Sequence, residues 1–220
     1  MPYKEWIKRG RDPVVPRDYW VLSRSEAKAF LQKVIDAIPE RLAQLTVLVR
    51  EKRLDSNWSP NFTEEAFRTL TEVFDESIET LPRDPSEMER DRGERDEIFD
   101  VLNAPVRSFE FTDRSWSITF DCAVYFALDL MSKEPRLQWQ LDEAKTVLTR
   151  NQPVLVAPRI SGKPDRLECQ PFDLFKDGAL WIGEHGKPLR PWVSIYRYWM
   201  NELVPWYQRE NPPILVDRRS

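Results

Sequence analysis

The sequence has few of the residues on which common catalytic and metal sites depend. It contains two cysteines, six glycines and one histidine in 220 residues. Neither cysteine belongs to a C-x-x-C pair, and the glycines form no G-x-G-x-x-G or P-loop spacing, so the common zinc, redox and phosphate-binding motifs are excluded. His185 cannot build a site of several histidines, and no G-x-S-x-G segment offers it a nucleophile. We expect no cofactor and no metal.

The chain also lacks a strong excess of one charge and a long hydrophobic run. Its 33 basic and 37 acidic residues leave a net charge of −4, so composition does not favour nucleic acid as a partner. Asp121 and Asp129 interrupt the longest apolar run, well short of the ~20 residues of a membrane span, and no signal peptide is visible. Cys122 and Cys169 are too few for a disulfide framework. These features predict a cytoplasmic protein.

Hydrophobic residues, by contrast, are plentiful enough for a sizeable core. They make up 41% of the chain and include nine tryptophans and eleven phenylalanines. We predict one domain over residues 21–210, with an extended arm over 1–20 before it and a tail over 211–220 after it. Residues 83–97 carry a single apolar side chain, Met88, which predicts a mobile, charged loop. A loop that docks a partner is the alternative for this segment.

Several helix boundaries can be predicted from capping residues and prolines. Ser23 and Glu26 have the spacing of a capping box, and apolar residues follow at helical intervals. Pro39 is expected either to end that helix or to begin another. Thr63 is expected to cap a further helix, which Pro82 closes.

A second set of patterns predicts a buried central helix followed by a small sheet. Asp113 or Ser115 is expected to cap a helix that runs to Ser132 and is apolar on nearly every side, as a core helix is. Residues 137–141 alternate with the period of a strand, and 154–156 form a second short strand. Helices are expected from Pro171 and over 191–203. The fold class is therefore α+β, with amphipathic helices around the central helix and an antiparallel sheet in the second half.

Two groups of residues are candidates for function. Asp121, Tyr125 and Asp129 on the central helix form the one plausible carboxylate cluster, and they predict a hydrolase site if Asp121 is not simply hydrogen-bonded in the core. The second group is aromatic and suits a protein interface, with core packing as the alternative. Its members are Trp181, Trp192, Tyr196, Trp199 and Trp206.

Three stretches resemble a group of uncharacterised bacterial cytosolic proteins. They are IPERL at 38–42 with the helix start at 59–67, SITFDCAVYF at 117–126 with 137–139, and NQPVLV at 151–156 with Pro171 and Phe172. Ala127 and Asp129 stand where that group commonly has a glycine and a glutamate. The resemblance implies no established activity.

Small bacterial proteins of this kind include immunity proteins, which neutralise a toxin by binding it, and the analogy is one of type only. We therefore predict a non-enzymatic protein-binding module whose acidic surface suits a basic toxin domain. The alternative is a carboxylate-dependent hydrolase with its site near the central helix.

Overall fold

The computed structural model describes residues 2–14, 16–54, 57–93, 106–142, 150–158, 167–187 and 192–212. It has the predicted α+β architecture, in which helices surround a buried central helix and two small sheets are antiparallel. In chain order the elements are α1 (Pro16–Val21), α2 (Arg24–Arg53), α3 (Glu64–Asp75), β1 (Thr80–Pro82), α4 (Pro85–Gly93), β2 (Phe109–Phe111), α5 (Asp113–Lys133), β3 (Gln138–Leu141), β4 (Pro153–Ala157), β5 (Leu167–Cys169), α6 (Pro171–His185), α7 (Trp192–Arg197), a π-helical segment (Tyr198–Leu203) and α8 (Val204–Glu210).

The central helix α5 lies in the core, as predicted. Almost all of its side chains between Ser115 and Leu130 are buried, and α2, α3 and α6 pack around it. Its cap is neither Asp113 nor Ser115, because the Thr112 hydroxyl accepts the Ser115 backbone N–H at 3.0 Å. The Ser115 hydroxyl bonds the backbone N–H and carbonyl of Glu79 instead, and so ties the chain before β1 to the start of α5.

Helix α2 starts at the predicted capping box of Ser23 and Glu26, but Pro39 neither ends nor begins a helix. It lies inside one helix of 30 residues. Proline removes one backbone hydrogen bond there. Buried residues on both sides of it, Val34 and Leu45 among them, hold the same face of the helix against the core and keep the two halves continuous.

Helix α3 begins after its predicted cap, Thr63, and ends earlier than predicted, at Asp75. Thr80–Pro82 form strand β1, which pairs antiparallel with β2. The prediction of helix up to Leu81 is therefore wrong. The backbone of Glu79 bonds the Ser115 hydroxyl, and the backbone of β1 bonds β2. These partners replace the hydrogen bonds that a longer helix would have made within itself.

The prediction of a loop over 83–97 is wrong over residues 85–93. Residues Pro85–Gly93 form helix α4. The Asp84 carboxylate accepts the backbone N–H of Ser86 at 2.7 Å, and Pro85 occupies the first helical position, where its missing N–H costs nothing. Composition predicted a loop because this helix is polar on every side. Residues 94–97 lie outside the described residues.

Strands β3 and β4 form the predicted antiparallel pair, with Trp139 opposite Leu155. Strand β5, which the sequence did not indicate, adds to the other edge of β4 and places Cys169 opposite Leu155. All residues of β4 are buried, as expected of the middle strand of a three-stranded sheet whose order is β3-β4-β5.

Both ends of the predicted domain differ from expectation. Residues 2–14 contain no helix or strand, yet Tyr3 and Ile7 are buried in the main core, and Pro16–Val21 form α1. The predicted extended arm over 1–20 is therefore helical from residue 16 on, and its apolar side chains at Tyr3 and Ile7 join the domain. The last helical stretch continues past 203 to Glu210, and most of the predicted tail over 211–220 lies outside the described residues.

Candidate functional site

Asp121 lies at the centre of a buried, fully occupied hydrogen-bond network. Arg41 of α2 donates to it from Nε at 2.9 Å and from Nη2 at 2.7 Å. The Tyr3 hydroxyl and the Trp6 indole N–H, both from the N-terminal segment, donate as well. Burial raises the pKa of Asp121, and the Arg41, Tyr3 and Trp6 bonds oppose that rise. The carboxylate therefore holds the N-terminal segment and α2 against α5.

Arg41 extends this network to the backbone of the N-terminal segment. Its Nη2 also donates to the Lys4 carbonyl at 2.9 Å, and its guanidinium lies over the rings of Tyr3 and Trp6 at 5.3 and 5.4 Å from their centroids. A planar guanidinium suits such a site because it can bond a carboxylate with two nitrogens while stacking on aromatic faces. These contacts give Asp121 a structural role.

Asp129, two helical turns further along α5, has a different environment. The side chain is buried, and among the described residues no hydrogen-bond donor meets either carboxylate oxygen in suitable geometry. Burial raises the pKa of Asp129, while the nearby Tyr196 hydroxyl, Lys133 and Ser132 oppose this rise only in part. Tyr125, one turn before Asp129 and on the same face, has a buried hydroxyl that lies near the Asp129 carboxylate and the Phe62 backbone.

Aromatic rings surround these two groups. Trp58 and Phe62 pack on Tyr125 with ring centroids 6.3 and 5.4 Å away, and both precede α3. Tyr196 of α7 packs beside Asp129 and against Phe67 of α3 at 4.8 Å. We call Trp58, Phe62, Tyr125, Asp129 and Tyr196 the Asp129 cluster. It combines one buried carboxylate with four aromatic side chains from three separate parts of the chain.

The predicted hydrolase residues therefore do not form one arrangement. Asp121 is engaged by Arg41, whereas Tyr125 and Asp129 belong to the Asp129 cluster. A hydrolytic role for the three stays a prediction. Among the described residues, no group of three or more histidine, cysteine or acidic side chains is placed to hold a metal ion.

Two of the aromatic candidates for partner binding, Trp192 and Tyr196, are core residues. Trp192 stacks on Phe175 with ring centroids 4.9 Å apart, and its indole N–H donates to Asp75 at 2.9 Å. Gly178 of α6 makes room for this ring, since a Cβ at that position would lie 2.3 Å from the indole. Neither Trp192 nor Tyr196 is available to a partner in this conformation, because both are more than 90% buried.

The other candidates are half-buried. Trp181 stacks on His185 with centroids 3.7 Å apart. Trp199 and Trp206 lie in the C-terminal helical stretch and pack partly on the core. With the half-buried Met200 and Leu203 they form a group of hydrophobic side chains that pack partly on the core. We call Trp199, Met200, Leu203 and Trp206 the C-terminal aromatic face.

A π-helical turn lies within this face. The Val204 backbone N–H bonds the Trp199 carbonyl, five residues back, and Pro205 follows with no N–H to donate. Single π-helical turns inside α-helices are frequent at functional sites. Next to the face, the Tyr198 side chain is 48% exposed.

Among the described residues, the cysteines and the histidine show no arrangement for nucleophilic chemistry. Cys122 and Cys169 are both buried free thiols, and burial raises the pKa of each. His185 contacts the Trp181 carbonyl through Nδ1 at 3.1 Å, which places it at the exposed end of α6. The structure assigns these three residues no further role.

The sequence patterns did not identify Arg41 as the partner of Asp121, or Trp58 and Phe62 as the neighbours of Tyr125. Arg41 carried a signal, because it falls seven residues after Val34 and four before Leu45 on the buried face of α2, where a charged residue needs a partner. Trp58 and Phe62 carried no sequence signal beyond being aromatic, because their contact with Tyr125 joins segments more than 60 residues apart.

No family model, no curated protein and no solved structure matches this chain. The resemblance to uncharacterised bacterial proteins therefore stays a prediction. Among the described helices, none combines the length and the apolar character that crossing a lipid bilayer requires.

Proposed function

We propose that this protein acts by binding a protein partner, as an immunity-like module of the bacterial cytoplasm. The observation that carries the proposal is the C-terminal aromatic face, with two half-buried tryptophans around a π-helical turn. Tryptophan is enriched among the residues that dominate the energy of protein interfaces. A face that is half-buried in the free protein keeps its side chains ordered, which lowers the entropy lost on association.

The net charge of the chain favours a basic partner. Glu202 is exposed between Met200 and Leu203, and the whole chain carries a net charge of −4. Opposite charge on a partner would speed the encounter and orient the two surfaces. A basic toxin domain, of the kind that immunity proteins neutralise, has the required charge.

The test is affinity capture from a bacterial lysate, followed by quantitative binding of the retained protein to matched variants. The wild type and Val21→Ala, a control that shortens an exposed apolar side chain outside this face, should retain the same stoichiometric partner. Trp206→Ala should weaken binding by about 30-fold, since truncation of a dominant interface residue costs ~2 kcal/mol or more. Thermal denaturation of each variant checks that Trp206→Ala is folded.

Three results would overturn the proposal. One is a bait that retains no stoichiometric partner, and another is a partner bound equally well by Trp206→Ala and Val21→Ala. The third is turnover of a small molecule by the purified protein in the absence of a partner.

A further inference from the structure

Residues 3–9 lie on α2 and α5 in the way that a bound peptide lies on its receptor, and we call them the docked segment. The segment contains no helix or strand, and four of its backbone N–H groups bond side chains of the two helices. Ser117 accepts the N–H groups of Trp6 and Ile7, both at 3.0 Å, and Gln44 accepts that of Lys4 at 2.8 Å. In the recognition of extended peptides, such main-chain bonds give affinity and side-chain pockets give specificity.

Three side chains anchor the docked segment on the core. The Tyr3 hydroxyl and the Trp6 indole N–H donate to the Asp121 carboxylate, the indole at 2.9 Å. Ile7 is completely buried, whereas the two residues between Tyr3 and Trp6 are exposed. These contacts therefore select a tyrosine followed, three and four residues later, by tryptophan and isoleucine, and they leave the positions between them free.

The surface beneath the docked segment keeps its own polar pairing without the segment. Arg41 bonds both oxygens of Asp121 through two nitrogens, so the two charges stay paired when the segment leaves. A buried charge that lost its only partner would oppose release. Water can take the place of the hydroxyl and indole donors of the segment. We call this surface the α2–α5 groove, and its polar residues are Arg41, Gln44, Ser117 and Asp121.

An exposed turn joins the docked segment to the rest of the chain. The backbone N–H groups of Arg11 and Asp12 bond the Lys8 carbonyl at 3.0 and 2.9 Å. Gly10 has φ of 77°, in the left-handed region that glycine adopts without strain, and residues 9–11 are exposed. The segment can therefore leave the groove through a change at this turn, without the loss of any helix or strand.

The groove has room for a peptide, because the docked segment occupies it. We propose that the α2–α5 groove is a peptide-binding site and that the docked segment is its built-in competitor. The ligand is an extended peptide with the anchors of the segment, a tyrosine followed three and four residues later by tryptophan and isoleucine. The groove is separate from the C-terminal aromatic face, so this proposal does not rest on the proposed function.

Competition within the chain sets the size of the expected effect. A segment joined to the groove competes with a free peptide at an effective concentration on the order of 1 mM. A peptide with a Kd of about 10 µM for the empty groove would therefore bind the wild type about 100-fold more weakly. Removal of the anchors from the chain's own segment should abolish this competition.

The experiment measures the binding of a synthetic peptide of residues 1–12, labelled with a dye at its carboxyl end, to the full chain. Fluorescence anisotropy should show that the double variant Tyr3→Ala with Trp6→Ala binds the peptide about 30-fold or more tightly than the wild type does. Lys4→Ala is the control, since it shortens an exposed side chain and keeps all three anchors. It should bind the peptide as weakly as the wild type. The peptide should also raise the denaturation temperature of the double variant.

Two further comparisons assign the binding to the groove. A peptide with alanine in place of both its tyrosine and its tryptophan should lose the binding. Ser117→Ala, added to the double variant, removes the acceptor of two peptide N–H groups and should weaken binding by about tenfold. Should the double variant fail to fold, Trp6→Ala alone takes its place, with a smaller gain in affinity because two anchors of the chain's own segment remain.

The proposal is wrong if Trp6→Ala is unfolded in the absence of peptide, because the docked segment is then a part of the core and not a ligand. It is also wrong if the folded variants bind no peptide at ~1 mM, or if they and the wild type bind it equally well. Binding that Ser117→Ala and the loss of the peptide's two aromatic anchors leave unchanged would place the peptide outside the groove and overturn the proposal as well.

Discussion

Arg41 contacts both carboxylate oxygens of Asp121 across 80 residues of sequence, and both side chains are at most 3% exposed. The pair joins α2 to α5, and through Tyr3 and Trp6 it also holds the N-terminal segment. A buried ion pair adds modest net stability, but removing one partner leaves the other charge buried and unpaired. The pair therefore makes the fold depend strongly on each of its members.

Asp121→Asn should lower the free energy of unfolding by about 3–5 kcal/mol, because it leaves the Arg41 guanidinium without its counter-ion. Urea denaturation followed by tryptophan fluorescence measures this loss. Glu65→Gln, which removes an exposed carboxylate beside Arg68, is the control and should change stability by less than ~0.5 kcal/mol. A loss below ~1 kcal/mol for Asp121→Asn would contradict a structural role for the pair.

Leu54→Gly should stabilise the protein by about 0.5–1 kcal/mol. Leu54 follows the C-terminus of α2 with φ of 52°, in the left-handed region, and its side chain is 92% exposed. Glycine adopts this conformation without steric cost, and little packing is lost because the leucine is in water. Leu54→Ala is the control, since it shortens the side chain but keeps the Cβ. If alanine and glycine have the same effect on the denaturation midpoint, the backbone conformation is not the cause.

Gly178→Ala should destabilise the protein by about 1–3 kcal/mol or more, because the new Cβ would overlap the Trp192 ring at 2.3 Å. A double-mutant cycle with Trp192→Leu tests the cause, since a smaller side chain leaves room for the methyl group. The two substitutions together should then cost less than the sum of their separate effects. Additive effects would show that the contact between Gly178 and Trp192 is not responsible.

Stability should depend on pH through Asp75. Burial raises the pKa of Asp75 from 3.8 to about 6, although the Trp192 indole N–H donates to its carboxylate. The pKa is higher in the folded state than in the unfolded state, so the folded state binds more protons between these values. The contribution of Asp75 to stability is therefore greatest below pH ~4 and is lost as pH rises through ~6, by on the order of 1–2 kcal/mol once partial solvent screening is allowed for.

Asp75→Asn isolates this effect, because the amide oxygen can still accept the Trp192 bond and no longer titrates. It should be more stable than the wild type at pH 7.5 by about 1–2 kcal/mol and similar to it at pH 3.5. Urea denaturation of both proteins at the two pH values measures the difference. The same difference at both values would exclude ionisation of Asp75 as its source.

Local rules recovered much of the fold. Ser23 with Glu26 and Thr63 were recognised as caps because each satisfies backbone donors within its own first turn, and the structure has both. The buried central helix and the pairing of β3 with β4 were also confirmed, because the spacing of apolar residues along the sequence indicates which side of an element faces the core. Helix α4 was missed, because a helix that is polar on all sides has no such period.

The surroundings of the candidate site residues could not be predicted from local sequence patterns. Asp121 and Asp129 lie on the same helix and are both buried, so no local pattern distinguishes them. Their difference comes from Arg41, which reaches only Asp121, and from the aromatic side chains that reach only the region of Tyr125 and Asp129. In the same way, the sequence pattern made Trp192 a candidate interface residue, whereas in the structure its ring is buried in the space beside Gly178.

The sequence by itself determined the caps, the central helix, the main strand pair and the α+β class, because these depend on residues a few positions apart. Only the tertiary structure decided that Pro39 stays within a helix, that the N-terminal segment is bound through Asp121, and that Asp129 is surrounded by aromatic rings. Those outcomes depend on contacts between distant segments, whose free energies exceed local preferences once the core has formed.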